Sequence, residues 1–343
     1  MIANILKRVL LLTAYLCSGA AYAGVYEDGV TAYLEENYTL ALVKLEQAAG
    51  QGDAAAQFLL GSMHDYGQGV VEDDAAAAKW FELAAEQGHA DAQNSLGFMY
   101  DKGEGVVQDS AEALKWYKLS AEQGNTLAQV NVGVMYDNGE GVAPDDAEAA
   151  KWYKLAAEQG DALAQNSLGF MYDKGEGVVQ DSAEALNWYK LAASQGNTLA
   201  QVTLGFKYSE GEGVVQDDAE GAKFYTLAAE QGDANAQYNI GLLYTTGKGV
   251  PQDYAKAVDW YKLAAAQGEA FAQNNLGVLY GDGLGVGLDY IRAYMWLSLA
   301  SLDDDAEVLE YRDRLAEKMT VQQIAEAQKL AQECQASNFK DCD

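Results

Sequence analysis

Apolar and polar positions along most of this chain follow the period of a helix, and one stretch of the pattern keeps returning. In residues 89–124, Ala92, Leu96 and Tyr100 stand at i, i+4 and i+8, the stripe of a first helix. Gly103 and Gly105 break that stripe inside the run Asp101–Asp109. Asp109 is placed to cap a second helix, and Glu112, three residues on, to complete a capping box. Ala113, Trp116, Tyr117, Ser120 and Ala121 then recur at three-four spacing as one apolar face. Gly124 follows where a helix C-terminus needs a left-handed residue. The stretch predicts an antiparallel pair of helices.

That pair recurs every 36 residues, as the columns Gly52, Gly88, Gly124, Gly160, Gly196, Gly232 and Gly268 show. All six tryptophans (Trp80, Trp116, Trp152, Trp188, Trp260 and Trp296) share another column, which Phe224 fills in the remaining copy. A period between twenty and fifty residues predicts a solenoid. Gly97, in the middle of a first helix, gives up about 1 kcal/mol of propensity relative to alanine. Its counterpart recurs in every copy, which predicts a partner helix so close that a Cβ would clash. The tryptophans, flanked by Ala and Tyr, are expected in the core between repeats and not in a sugar-binding stripe. Residues 93–119 and 165–191 differ only at Lys115 against Asn187, so a two-repeat block is expected to have been duplicated whole. Such copying suits an extended binding surface better than an asymmetric catalytic pocket.

The columns resemble the Sel-one-like repeat, a relative of the tetratricopeptide repeat. Its pattern is met by Ala92, Leu96, Gly97, Tyr100, Gly103, Gly105, Val106, Asp109, Ala113, Trp116, Tyr117, Ala121 and Gly124. The resemblance implies an all-α fold, a right-handed superhelical solenoid of antiparallel helix pairs. It also implies a role in bringing proteins together. The expected organisation is a signal peptide at 1–23, a divergent tetratricopeptide-like helix pair at 24–52, seven repeats at 53–304, and C-terminal capping helices with a cysteine-containing tail at 305–343. In the last segment a helix is expected from about Ala306, and Thr320–Gln323 forms a capping box that opens another, running to about Cys334.

Composition narrows the function. The 343 residues hold 22 Lys plus Arg against 52 Asp plus Glu, a net charge of −30 that disfavours nucleic acid and anionic lipid as partners. Lys7 and Arg8, the apolar run after them and the small-residue site Ala21-Tyr22-Ala23 have the order of a secretory leader, with cleavage expected before Gly24. Cys17 lacks the small preceding residue that lipidation requires. No stretch approaches a membrane span in length. A periplasmic or secreted chain is expected, and loss of Lys7 and Arg8 takes the charge from −30 to −32. In an oxidising compartment Cys334 and Cys342 are expected to close a small disulfide loop.

No metal or cofactor is expected. The recurring Asp-x-Gly-x-Gly-x-x-x-Asp, as at Asp101 to Asp109, lacks the alternating oxygens and terminal Glu of a calcium loop, and its first Asp becomes Ser209 and Thr245 elsewhere. His64 and His89 occupy different columns, with no cysteine beside them. Among 52 acids, neighbouring carboxylates such as Asp73 and Asp74 are simplest as caps and solvated faces. No phosphate loop, nucleophile elbow or dinucleotide fingerprint occurs.

By resemblance to tetratricopeptide stacks, first helices line a concave surface, and positions flanking Leu-Gly point into it. Asn94, Asn131, Asn166, Asn239, Asn274 and Asn275 fall there, with Phe98, Phe170 and Phe206 just after the glycine. An amide both donates and accepts, so these asparagines suit the main chain of an extended peptide, while the phenylalanines offer apolar pockets. The alternative for the asparagines is local capping and solvation. A non-enzymatic scaffold that binds a neutral or basic polypeptide segment is expected. Its rival is a cell-wall or β-lactam hydrolase, because some cysteine-rich relatives bind or hydrolyse β-lactams. Those relatives carry a cysteine pair in each repeat, and these repeats have none.

Overall fold

The computed structural model of the chain describes residues 23–300, 306–339 and 342. The expected leader lies outside these residues, apart from Ala23, and so does Asp303-Asp304-Asp305. The described residues are helical with turns between, and they divide into two compact units at Val179 and Gln180.

The first unit contains α1 (Ala23–Leu34), α2 (Tyr38–Ala49), α3 (Ala54–Asp65), α4 (Asp74–Glu86), α5 (Ala90–Lys102), α6 (Ser110–Glu122), α7 (Thr126–Asn138), α8 (Asp146–Glu158) and α9 (Ala162–Lys174). Three rungs show that α5 and α6 run antiparallel. Gln93 near the start of α5 meets Gln123 at the end of α6, Gly97 meets Tyr117 halfway, and the Tyr100 carbonyl accepts from the Asp109 N–H at the far end. A Cβ on Gly97 would lie 2.7 Å from the Tyr117 ring, which is the close approach the sequence predicts. Gly105 has φ 66°, and a Cβ there would lie 2.1 Å from the carbonyl oxygen of Asp74. The loop of one repeat therefore rests on the second helix of the repeat before it. Trp80, Trp116 and Trp152 each pack against a core cluster that joins the preceding second helix to the first helix of their own pair.

Capping follows the sequence with one difference. Asp109 accepts from the Ala111 and Glu112 N–H groups, each such cap contributing about 1 kcal/mol. The Asp109 N–H is already held by Tyr100, so Glu112 has no reciprocal bond to make and pairs with Lys115 at 2.9 Å. The first pair is shorter at its joint: α1 and α2 are linked by residues 35–37 alone. Lys44 stands where the later second helices carry tryptophan, and it pairs with Asp28 at 3.3 Å.

The second unit contains α10 (Ser182–Ser194), α11 (Thr198–Glu210), α12 (Asp218–Glu230), α13 (Ala234–Thr246), α14 (Tyr254–Ala265), α15 (Ala270–Asp282), α16 (Tyr290–Leu299), α17 (Ala306–Ala316) and α18 (Val321–Ala336). Its pairs use the same rungs, with Gly205 under Tyr225 and Gly241 under Tyr261. Trp260 packs back as its counterparts do, and Trp296 is fully enclosed in the last cluster. α17 and α18 both pack on α16. Gly281 replaces the usual Asp and makes room for Tyr311, whose hydroxyl donates to Asp282 at 2.7 Å. Thr320 and Gln323 form the predicted reciprocal capping box of α18. The Cys334 and Cys342 sulfurs lie within bonding distance across Cα atoms 4.7 Å apart, a disulfide-capable pair.

Candidate functional site

Each first helix has a sealed side and an open side. The sealed side is built from the glycine rung and from a buried glutamine that composition alone hides. Gln93 donates to the Ala85 carbonyl at 3.0 Å and accepts from Gln123 at 2.7 Å. It thus ties the end of the preceding second helix to the end of its own. Gln57 and Gln129 do the same in the first unit, and Gln201 and Gln237 in the second. The carbonyls at a helix C-terminus have no intrahelical partner, and the side-chain amide supplies one. Burial of the rung tyrosines holds their hydroxyls protonated: desolvation pushes Tyr225 and Tyr261 up to about 12, and raises Tyr117 and Tyr153 as well.

The open side carries the sequence-predicted residues. In the first unit Phe98 on α5 and Phe170 on α9 are 43% and 46% exposed, with Lys102 and Lys174 about one ring contact away, at 5.9 and 6.0 Å from the ring centroids. The Asn131 amide on α7 donates to Asn94 Oδ1 on α5 at 3.3 Å, joining neighbouring first helices. Asn166 Oδ1 on α9 is buried without a hydrogen-bond partner. An unmet buried acceptor costs about 1–3 kcal/mol.

In the second unit Phe206 is exposed on α11. Asn239 turns to the Asn235 carbonyl of its own helix at 2.9 Å. Asn274 donates weakly to Asn275 at 3.5 Å, and Asn275 donates to the Tyr261 hydroxyl at 3.1 Å. These three amides are engaged within the unit.

His89 takes a role that sequence did not assign. Its Nδ1 accepts from the Ala92 N–H at 3.3 Å, capping α5, and its ring stacks on Phe58 with centroids 4.8 Å apart. Burial lowers its pKa from the usual histidine value, while Asp91 and Asp53 pull the other way. The other caps of this column are Asp, Asn or Glu, so the position itself was the available signal. Among the described residues no three His, Cys, Asp or Glu side chains converge to hold a metal ion. Among them, too, no helix is long and apolar enough to cross a membrane.

The rungs, caps and backward-packing tryptophans recur as one unit, and comparison with known families gives that unit a name. A family model described as Sel1 repeat matches seven successive segments, 54–89, 90–125, 126–161, 162–197, 198–233, 234–269 and 270–305. The chain belongs to the Sel1 repeat family. Each Sel1 segment opens at the N1 residue of a first helix, directly after its cap. A solved Sel1 repeat protein from Oxalobacter formigenes is 33% identical, with a TM-score of 0.67 over 86% of this chain and 88% of that one. A protective antigen present in uropathogenic Escherichia coli strains, of the same repeat fold, is 31% identical. Its TM-score is 0.61, over 93% of this chain and 78% of that one. Comparison with the curated proteins finds no match.

Proposed function

We propose that this Sel1 repeat protein is an exported, non-enzymatic scaffold that holds an extended segment of a partner protein on the open face of its first helices. The observation that carries this reading is the open side of α5, α7 and α9. There, two exposed phenylalanines alternate with amides, one of which has a buried oxygen with no partner. Amides meet the main chain of an extended peptide, and the rings receive its side chains. The acidic balance of the chain favours a neutral or basic segment. Family membership supports the scaffold role, and the leader-like N-terminal sequence together with the disulfide-capable tail supports export to a periplasmic or extracellular setting.

The test is a crosslinked pull-down from envelope extract, comparing wild type with Asn94→Ala plus Asn166→Ala. The reading expects a partner held by wild type and lost from the variant, with unchanged thermal unfolding. Equal capture by both would remove this face from the proposal. A flat nitrocefin assay is expected, and turnover would restore the hydrolase reading.

A further inference from the structure

A second surface lies at the turns that join each second helix to the next first helix. At six of these turns the glycine (Gly52, Gly88, Gly124, Gly160, Gly196 and Gly232) has nothing within 4 Å of where a Cβ would point. At the seventh turn the space is filled. The Phe339 ring from the C-terminal tail lies 3.4 Å from the Cβ position of Gly268 and packs against the last core cluster. The chain thus shows, on its own last turn, what such a turn receives.

Two earlier turns are equipped to receive the same group. The α6–α7 turn is flanked by Leu119 and Leu127, which are 39% and 62% exposed. The α8–α9 turn is flanked by Leu155 and Leu163, at 44% and 51%. The two turns are fastened together, because Gln159 donates to the Gly124 carbonyl at 3.1 Å and accepts from the Thr126 hydroxyl at 3.0 Å. Four exposed leucines thus flank two bolted turns, and exposed apolar side chains gathered in one place mark interaction sites. One difference from the filled turn sets the charge of the occupant. Where the last turn has Ala266, these two have the exposed carboxylates Glu122 and Glu158.

We infer that the paired α6–α7 and α8–α9 turns dock a partner segment presenting an aromatic side chain next to a lysine or arginine. The aromatic ring seats over the turn glycine between the leucines, as Phe339 seats over Gly268. The cation meets Glu122 or Glu158, a complementarity that orients the segment as well as attracting it. This proposal does not depend on the open face being occupied.

The test uses the full chain and the peptide acetyl-Ser-Asn-Phe-Lys-Lys-amide, followed by backbone amide shifts in NMR. The expected result is saturable shifts at Gly124 and Gly160 with Gly268 silent, because Phe339 already fills that turn. A peptide with Ala in place of Phe is expected to bind at least tenfold more weakly. Leu119→Gln with Leu155→Gln, at half-exposed positions, is expected to weaken binding about tenfold without moving the melting temperature. Phe339→Ala is expected to add a shift at Gly268. The inference is overturned by any of three outcomes: no saturable shift at Gly124 and Gly160, equal binding of the Ala peptide, or full binding by the leucine variant. Self-association of the chain that buries these glycines without peptide would equally overturn it, since the occupant would then be a second copy.

Discussion

On α7 an asparagine bonds to an asparagine of the neighbouring first helix, whereas on α13 and α15 the asparagines of the same column bond to their own helix or to tyrosine hydroxyls. The cause is the residue 37 positions earlier. Asn131 finds Asn94 there, a side chain that can accept its hydrogen bond. Asn239 finds Val202, which cannot, and so bonds to the carbonyl of its own helix. Asn275 finds Tyr238 and lies within reach of Tyr261, and both hydroxyls take part in its bonding. A column fixes which residue type stands on a face. The neighbouring column decides which partner its polar atoms find.

This contrast can be broken in graded ways. The largest effect tests its premise, that the two units share one scaffold. Gly97→Ala and Gly241→Ala each place a methyl 2.7 Å from a tyrosine ring, and each is expected to cost about 2 kcal/mol in urea unfolding. Grossly unequal losses would show that the units are not equivalent frames. Next comes partner capture. Asn94→Ala with Asn131→Ala is expected to weaken it about tenfold, or about 1.4 kcal/mol. Asn239→Ala with Asn274→Ala is expected to change it less than twofold. If the second pair weakens capture as much as the first, the asparagines of both units serve the partner alike.

A smaller loss, about 1 kcal/mol of stability with no loss of capture, is expected from Asn275→Ala, because its bond to Tyr261 is structural. The smallest effect depends on pH and belongs to the first unit. The folded-state pKa of His89 is lowered, so the unfolded chain binds its proton first. The stability it contributes is complete above about pH 6.5, the unfolded value, and is lost as pH falls through the lowered folded value. Melting curves at neutral and acidic pH should show this slope in wild type and a flatter one in His89→Asn, which keeps the cap without the titration.

Much of the scaffold was legible because its causes are local. Asp109 before an apolar run, Thr320 three residues ahead of Gln323, and glycine after the helices of each repeat such as Gly103 and Gly124 each announce a cap or a turn from a few neighbouring residues. Gly97 also betrayed a long-range contact, because an unfavourable residue repeated in every copy demands a reason. The glutamine column escaped notice, since a polar residue in a helix is ordinarily solvated. Its burial depends on an orphan carbonyl eight residues back in the chain, at the end of another helix. Lys44 stands in the tryptophan column, and only the structure shows that its partner there is Asp28. On the open face the residue types were readable and their bonding was not, because each amide had to be compared with a side chain a full repeat away.

The glutamine bridges have one more consequence, for inheritance. Each joins residues 30 positions apart within one repeat and reaches back no further than the helix just before it. Insertion or loss of a whole 36-residue block leaves the glutamine at the junction facing an alanine carbonyl, as before. Chain length is therefore adjustable like the rungs of an extending ladder, in fixed steps that need no compensating change elsewhere. Residues 93–119 and 165–191, alike at all but one position, stand two such steps apart.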